Sequence, residues 1–214
     1  IDKSKIIGLG TGSTANKFLN IIHEKFTKNN IIIKAVSTSS QTTNLATSLG
    51  IEILDFNSVE EIEFLIDGAD EIDTSKNLIK GGGGALLMEK IVANFSKNLI
   101  IIADQTKMVN TLGKFPLPVE IVRFGYEKTK IHICSLLRDL KYTEFKIILR
   151  RDRGKDYLTD ESNFILDLHL NKIKDAYILS RELSMVPGVV EVGLFLGMAS
   201  KVIIGRDDER VDIF

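Results

Sequence analysis

Short runs of apolar residues alternate with polar, glycine-containing junctions along the first half of the chain. The runs are continuous, which is typical of parallel strands buried on both faces of a sheet. Apolar residues at helical spacing follow the first two runs, in the regions of residues 18–26 and 45–49. The predicted strands are Ile6–Leu9, Ile31–Val36, Ile51–Leu54, Phe64–Ile66 and Leu99–Ala103. This alternation predicts an α/β domain with a mostly parallel sheet over residues 1 to about 120.

The pattern changes from residue 119 onward. Predicted strands and helices follow in the order β-α-β-β-α-β, at residues 119–122, 131–140, 145–149, 164–170, 176–185 and 189–194. This order is the split βαβ arrangement of a small, ferredoxin-like α+β domain. The polar stretch 151–162 between two of the strands reads as a loop.

Two apolar segments near the end of the chain, at 202–204 and 211–213, predict a hairpin that rejoins the first domain. We therefore expect one α/β domain formed by residues 1–120 and 196–214, and a second, smaller α+β domain formed by residues 121–195.

The composition argues against some classes of binding partner but does not identify one. The chain has 214 residues, 44% of them hydrophobic, and a formal net charge of −1, so no electrostatic footprint for nucleic acid or an anionic membrane is expected. The single Cys134 excludes a disulfide framework and fits a reducing compartment. No apolar run approaches the roughly 20 residues of a membrane span, and no leader pattern is present. We expect a cytoplasmic protein.

The segment Gly10-Thr11-Gly12-Ser13-Thr14 lies between a predicted strand and a predicted helix. Backbone N–H groups and the positive end of the helix dipole could hold a phosphate there, aided by the three hydroxyls. A tight turn with an ordinary helix cap is an equally good interpretation of this motif alone. The glycine spacing differs from G-x-G-x-x-G, so a nicotinamide cofactor is disfavoured and no cofactor is expected.

Carboxylates follow another predicted strand, in Asp67-Gly68-Ala69-Asp70-Glu71, and Lys80-Gly81-Gly82-Gly83-Gly84 comes nine residues later. Alone, the acidic segment could be solvated turn chemistry, or a hard-cation site that includes Asp73. The glycine segment could also be a plain loop, but glycine repetition beside a lysine more usually indicates a backbone that approaches a ligand closely. Lys80 would compete with a cation for the carboxylates, and the three histidines show no ligand spacing, so we expect no metal.

Glu89 lies in the helical pattern beyond the glycines. With Lys90 it could be ordinary solvent-facing helix charge.

Together these motifs resemble those of ribose-5-phosphate isomerases of the A type. The resemblance runs in order along essentially the whole chain and rests on residues 10–14, 67–72, 80–91, 103–107, 113–120, 187–190 and 192–195. It implies a Rossmann-like domain, a smaller α+β domain that serves oligomer contacts in a homodimer or homotetramer, and a sugar phosphate substrate. It also implies that ribose 5-phosphate and ribulose 5-phosphate are interconverted without a metal.

The resemblance also implies a role for each site residue. Glu89 would be the base that moves a proton between C2 and C1, and Asp67 would assist opening of the furanose ring. Lys80 and the adjacent backbone would stabilise the enediolate. The residues implied in substrate binding are Thr11, Gly12, Ser13, Thr14, Asp67, Gly68, Ala69, Asp70, Lys80, Gly81, Gly82, Gly83 and Lys107, with Asp70 on sugar hydroxyls and Thr11 to Thr14 with Lys107 on the phosphate.

Two other functions fit parts of the same pattern. A non-catalytic sugar-phosphate sensor would need an attached helix-turn-helix, for which the residues before Ile6 are too few. One half of an acyl-CoA transferase would use a glutamate as nucleophile, but the hydroxyl-rich loop and the short chain disfavour it. Members of the resembled family usually carry a helix before the first strand, so Lys3 and Lys5 are only candidates for a further phosphate ligand.

Overall fold

The computed structural model describes residues 6–27 and 33–214 of the chain. Within these residues the first eight strands are β1 (Ile6–Leu9), β2 (Lys34–Ser37), β3 (Glu52–Ile53), β4 (Phe64–Asp67), β5 (Glu71–Ile72), β6 (Leu78–Ile79), β7 (Leu99–Asp104) and β8 (Leu117–Ile121). The remaining strands are β9 (Lys146–Leu149), β10 (Arg151–Asp152), β11 (Lys155–Asp156), β12 (Phe164–His169), β13 (Val189–Val192), β14 (Leu194–Phe195), β15 (Ala199–Gly205) and β16 (Val211–Ile213). The helices are α1 (Ser13–Thr27), α2 (Ser40–Ser48), α3 (Leu86–Phe95), α4 (Tyr126–Asp139) and α5 (Ala176–Ser184). Lys3, Lys5 and the first two residues of the strand expected at 31–36 lie outside the described residues.

The chain divides into two compact units. The first comprises residues up to Ala69 together with Met88–Thr106 and Met198–Phe214, and the second comprises Asp70–Leu87 and Lys107–Gly197. The division falls within α3, between Leu87 and Met88.

The first unit is built on a seven-stranded sheet with the order β16-β15-β7-β4-β1-β2-β3. Its neighbouring strands are parallel except for β16, which pairs antiparallel with β15. The mixed α/β fold with a large, mostly parallel sheet is therefore confirmed, and so is the expectation that the last hairpin rejoins this sheet. Successive residues of β1 and β4 are buried, so these two strands are covered on both faces, whereas β7 alternates between buried and half-buried residues. Ile7 and Leu9 lie in one buried cluster with Leu19 and Ile22 of α1.

Strand order in this sheet reverses between β1 and β4, because β2 and β3 continue on one side of β1 while β4 and β7 lie on the other. In open α/β sheets, ligands bind outside the carboxyl ends of the strands at such a reversal. The loops after β1 and β4 are therefore the first place to look for a site in this unit.

The second unit contains a four-stranded antiparallel sheet with the order β13-β8-β12-β9. A buried cluster that includes Ile133 and Leu137 of α4 and Leu179 and Leu183 of α5 covers it. A three-stranded sheet, β14-β6-β5, and the short hairpin β10-β11 complete the unit.

The units differ from the expected domains at residues 70–87, 107–120 and 196–197, all of which belong to the second unit. Residues 107–120 belong to the second unit because β8 pairs with β12 and β13, and residues 70–87 belong there because β6 pairs with β14. The stretch 151–162, expected to be a loop, contains the hairpin β10-β11, in which Arg151 pairs with Asp156. Among the helices that the structure describes, none is both long and apolar enough to span a bilayer.

Candidate active site

In the first unit, the loop after β1 and the end of β4 meet at Gly10 and Asp67. The Gly10 N–H donates to the Ile66 carbonyl at 2.8 Å. A Cβ added at Gly10 would lie 2.2 Å from Asp67 Oδ1, so only glycine fits beside this carboxylate. Asp67 is 1% exposed, and its Oδ1 accepts from the N–H groups of Thr11 at 3.1 Å and Gly68 at 2.7 Å. The backbone of both loops therefore fixes the carboxylate at the reversal of strand order.

Buried hydroxyls hold the same loop from the side of α2. The Thr11 hydroxyl donates to Ser39 Oγ at 2.8 Å, the Ser39 hydroxyl donates to Thr42 Oγ1 at 3.0 Å, and Thr42 donates to the Gly10 carbonyl at 3.0 Å. Thr38 Oγ1 also lies 2.8 Å from Thr11 Oγ1. This chain of hydrogen bonds begins and ends on the loop, so it restricts the conformation of the loop.

The loop then leads into α1. Gly12 has φ +110°, a conformation that glycine adopts without strain, and α1 begins at Ser13. Ser13 is exposed and Thr14 is half-buried, so both hydroxyls lie near solvent at the helix N-terminus. The first N–H groups of a helix have no intrahelical acceptor and favour an anion. A Cβ added at Gly68 would lie 3.9 Å from Thr14 Cβ, so this helix start is close to the residue after Asp67.

Glu89 also belongs to the first unit. It lies in the first turn of α3 and is only 4% exposed. The interpretation as solvent-facing helix charge is therefore wrong: a carboxylate is rarely buried to this extent for packing alone.

In the second unit, Lys80 directly follows β6. Its N–H donates to the Gly193 carbonyl at 2.9 Å, which continues the pairing of β6 with β14. The side chain is 3% exposed, and Nζ lies 5.5 Å from the centre of the Phe195 ring. A lysine is almost never buried to this extent unless it is paired.

The glycine segment after Lys80 is bound to Asp70, which lies in the same unit. Asp70 Oδ2 accepts from the Gly82 N–H at 2.8 Å, and a Cβ added at Gly82 would lie 2.5 Å from Asp70 Oδ1. The Gly84 N–H donates to the Gly81 carbonyl at 3.0 Å, which closes a tight turn. Gly82 and Gly83 are exposed at its tip.

The other carboxylates of the acidic segment have structural partners. Glu71 accepts from the N–H groups of Gly113 at 2.7 Å and Phe115 at 2.6 Å, and Asp73 Oδ1 accepts from the backbone of Ser75 and Asn77. Across residues 6–27 and 33–214, no group of three or more histidine, cysteine, aspartate or glutamate side chains is arranged to hold a metal ion.

The last two expected binding residues, Ala69 and Lys107, are both half-buried. Ala69 is the last residue of the acidic segment to belong to the first unit. Lys107 ends a short 3₁₀ helix, Gln105–Lys107, directly after β7. The structure thus groups Gly10, Thr11, Thr14, Asp67 and Gly68 within the first unit, and Asp70 with Lys80 to Gly84 within the second.

Several polar residues that support these groups have little or no signal in the sequence. Thr38, Ser39 and Thr42 bind Thr11, and their only signal is the hydroxyl-rich composition of residues 37–43 after β2. Arg150 and Tyr157 bind the glycine segment, but Arg150 directly precedes, and Tyr157 lies within, the stretch 151–162 that reads as a polar loop. Their contacts span about 70 residues of sequence.

Comparison with known proteins identifies the family. The family model for ribose 5-phosphate isomerase A (phosphoriboisomerase A) matches residues 34–209. The chain belongs to this family. It is therefore an isomerase, and the reaction of the family is the isomerisation of ribose 5-phosphate.

Individual relatives agree with this assignment. The chain is similar to ribose-5-phosphate isomerase A of Dinoroseobacter shibae, with 46% identity over 97% of this chain and 80% of the relative. It is also similar to the solved ribose 5-phosphate isomerase of Plasmodium falciparum, with a TM-score of 0.92, 34% identity and coverage of 100% of this chain and 92% of the other. A third similar protein is a D-ribose-5-phosphate isomerase solved in complex with phospho-erythronic acid, with a TM-score of 0.89, 36% identity and the same two coverages.

Proposed function

We propose that the chain interconverts D-ribose 5-phosphate and D-ribulose 5-phosphate through an enediolate, with Glu89 as the general base and without a metal ion. The observation that carries this proposal is the burial of Glu89 in the first turn of α3, only a few residues beyond the Lys80–Gly84 segment. Moving a proton between adjacent carbons needs one base that reaches both of them.

The proposed reaction transfers one proton from C2 to C1 of the sugar. In the open-chain aldose, Glu89 removes the proton from C2, the C–H electron pair forms the C1–C2 double bond, and the aldehyde oxygen takes up the negative charge. Glu89 then returns the proton to C1. The O2 proton is transferred to O1, so that a carbonyl forms at C2 and a hydroxyl at C1. Asp67 assists the preceding ring opening by exchanging a proton with the ring and anomeric oxygens.

Charge develops on the substrate oxygen at the enediolate, and we assign its stabilisation to Lys80 and the backbone of Gly81 to Gly83. A fixed ammonium group and oriented N–H groups are most effective where negative charge develops and water is excluded. The burial of Lys80 supports this role. We assign Asp70, together with the backbone at Gly68 and Ala69, to the sugar hydroxyls.

We assign the phosphate to residues Thr11 to Thr14 and Lys107. The N-terminus of α1 and the exposed Ser13 hydroxyl are suited to an anion. The similar isomerase in complex with phospho-erythronic acid supports a phosphorylated sugar acid or sugar as the ligand class. Binding energy at the phosphate would position the distant reacting carbons.

The test of the base is Glu89→Gln, compared with Glu127→Gln as a matched control. Glu127 also lies in the first turn of a helix, α4, but is exposed. We expect Glu89→Gln to fold normally and to lose about 10² to 10⁴ in kcat, the usual contribution of a positioned general base. Glu127→Gln should match the wild type. Wild-type turnover by Glu89→Gln would remove Glu89 from the mechanism.

Two further measurements test the reaction itself. Ribose 5-phosphate deuterated at C2 should react more slowly in the wild type and yield ribulose 5-phosphate with part of the label moved to C1. Complete activity after treatment with a chelator would agree with metal-free chemistry, whereas loss of activity would reinstate a metal. Absence of any ketose would favour the sensor or the transferase.

We also propose that the second unit carries the contacts of a homodimer or homotetramer. Several large apolar side chains of this unit are exposed, and Phe124 is 94% exposed. Light scattering of Phe124→Glu should show a smaller species than the wild type. Ile21→Glu, at an exposed apolar residue of the first unit, should leave the mass unchanged. Equal masses for all three proteins would contradict this assignment.

A further inference from the structure

Two side chains of the second unit hold the carbonyl groups of the glycine segment. Arg150 Nη1 donates to the Gly81 carbonyl at 2.8 Å and to the Gly82 carbonyl at 3.1 Å. The Tyr157 hydroxyl donates to the Gly83 carbonyl at 3.2 Å. Three successive carbonyl groups are therefore bound on the side that faces Arg150 and Tyr157.

Arg150 is itself held rigidly. Its Nε and Nη2 donate to the two carboxylate oxygens of Asp167 at 3.0 and 2.6 Å, and the two side chains are 13% and 18% exposed. A bidentate, largely buried pair of this kind fixes the plane of the guanidinium group. The third nitrogen, Nη1, is then directed at the glycine carbonyls.

The hairpin β10-β11 brings Arg150 and Tyr157 together. The Tyr157 N–H donates to the Arg150 carbonyl at 2.9 Å, one position beyond the pair Arg151 and Asp156. The Arg150 guanidinium lies 5.8 Å from the centre of the Tyr157 ring. Burial raises the pKa of the Tyr157 hydroxyl, which therefore remains protonated and able to donate at neutral pH.

Fixed carbonyl groups also fix the N–H groups of the same segment, because a planar trans peptide directs its C=O and N–H to opposite sides. The Gly82 N–H donates to Asp70, and the Gly84 N–H donates to the Gly81 carbonyl. The Gly83 N–H, whose peptide carbonyl is the Gly82 oxygen held by Arg150, has no acceptor within residues 6–27 and 33–214. It is an exposed donor whose direction Arg150 sets.

We propose that Arg150 and Tyr157 are positioning residues that orient the Gly83 N–H toward the developing oxyanion of the substrate. This inference rests on the proposed role of Lys80 and the glycine segment. Glycine populates both signs of φ almost equally, so a run of four glycines does not by itself hold a donor in one direction. Side-chain donors that bind its carbonyls supply that order before the substrate arrives, which makes the N–H group effective in the transition state.

The central variant is Arg150→Gln, and its matched control is Arg151→Gln. Arg151 is the next residue, and it forms an exposed ion pair with Asp156. We expect Arg150→Gln to lower kcat for ribose 5-phosphate by about 10- to 100-fold, the effect of a misplaced catalytic group. The inhibition constant of inorganic phosphate should stay within about twofold of the wild type, because the phosphate ligands are untouched. Arg151→Gln should leave both constants unchanged.

Two other variants keep the test decisive if Arg150→Gln does not fold. Arg150→Lys retains the charge but loses the planar fork, and it should also lower kcat. Tyr157→Phe removes only the hydroxyl on the Gly83 carbonyl and should lower kcat by a few fold without a change in the thermal midpoint.

Three outcomes would overturn the inference: equal kcat for Arg150→Gln and Arg151→Gln, a parallel loss of phosphate inhibition and turnover, or recovery of full activity in Arg150→Lys. Lys80→Met separates this failure from failure of the proposed function. An inactive Lys80→Met with an active Arg150→Gln would refute only the positioning role, whereas an active Lys80→Met would refute the use of the whole segment.

Discussion

The contact between Gly10 and Asp67 makes a sharp prediction about Gly10→Ala. The added Cβ would lie 2.2 Å from Asp67 Oδ1 and 2.6 Å from Asp67 Cα. Rotation of the Asp67 side chain could relieve the first contact but not the second, since Cα moves only with the backbone of β4. The substitution must therefore displace either the loop after β1 or the end of β4.

The size of the effect follows from two contributions. Overpacking of a well-packed site costs about 1–3 kcal/mol, and disturbing hydrogen bonds to a buried carboxylate adds a comparable amount. We expect the free energy of unfolding to fall by about 2–6 kcal/mol, which for a chain of this size lowers the thermal midpoint by roughly 4–24 °C. Turnover should fall as well, because Asp67 moves away from the position that its proposed role in ring opening requires.

Two other glycines provide graded controls in the same unit. A Cβ at Gly8 would lie 2.8 Å from Leu65 Cδ1, the end of a flexible side chain, whereas at Gly68 the nearest atom is 3.9 Å away. Urea unfolding followed by circular dichroism should therefore rank the alanine variants in the order Gly10, Gly8, Gly68, with Gly68→Ala within about 1 kcal/mol of the wild type. A wild-type unfolding free energy and kcat for Gly10→Ala would refute the packing described here.

Three more predictions concern residues elsewhere in the chain. Lys107→Ala should raise KM and leave kcat unchanged if Lys107 binds the phosphate equally in the ground and transition states, as steady-state kinetics would show. Glu71→Gln should lower the free energy of unfolding in urea by about 1–3 kcal/mol, because Gly113 and Phe115 donate to different oxygens of Glu71 and the carboxamide replaces one of these oxygens with an NH2 group that cannot accept. Burial raises the pKa of Glu120 above its ordinary value of 4.5, against hydrogen bonds from its neighbours that lower it. The folded state therefore binds the Glu120 proton more tightly than the unfolded state does. The resulting contribution to the free energy of unfolding is fully present below pH 4.5 and is lost as pH rises through the folded pKa. Glu120→Gln should remove this loss of stability, which can be checked by comparing the free energies of unfolding of the two proteins between pH 4 and 8.

A specific result would contradict each of these three predictions. A selective loss of kcat in Lys107→Ala would place Lys107 near the reacting carbons. An unchanged unfolding free energy in Glu71→Gln would mean that the loop at 113–115 is held by other contacts. The same pH dependence in Glu120→Gln and the wild type would mean that folding does not raise the pKa of Glu120.

Much of the first unit could be predicted from the sequence because its signals are local. Continuous apolar runs identify β1, β4 and β7, and the glycine-rich and acidic segments that follow these runs mark the loops at the carboxyl ends of the sheet. Helical spacing after the first run likewise identifies α1. No long-range information is needed for these elements.

The parts that could not be predicted depend on distant partners. Strands β5 and β6 have two residues each, too few for a pattern, and they exist because β14 pairs with β6 from more than 110 residues away. Pro118 lies within β8, although proline usually argues against a central strand. The role of Arg150 depends on a hairpin whose residues are polar and exposed, so composition alone describes a loop.

The placement of β15 between β7 and β16 has a consequence for biosynthesis. When the ribosome has released the chain as far as Val190, β7 can pair with β4, but its other edge stays open until Ala199–Gly205 emerges. An unpaired strand edge is a template for association with other chains. The nascent polypeptide is thus open to association with other chains between the synthesis of β7 and that of β15, and truncation just before Ala199 should yield insoluble material even though every proposed catalytic side chain has been synthesised.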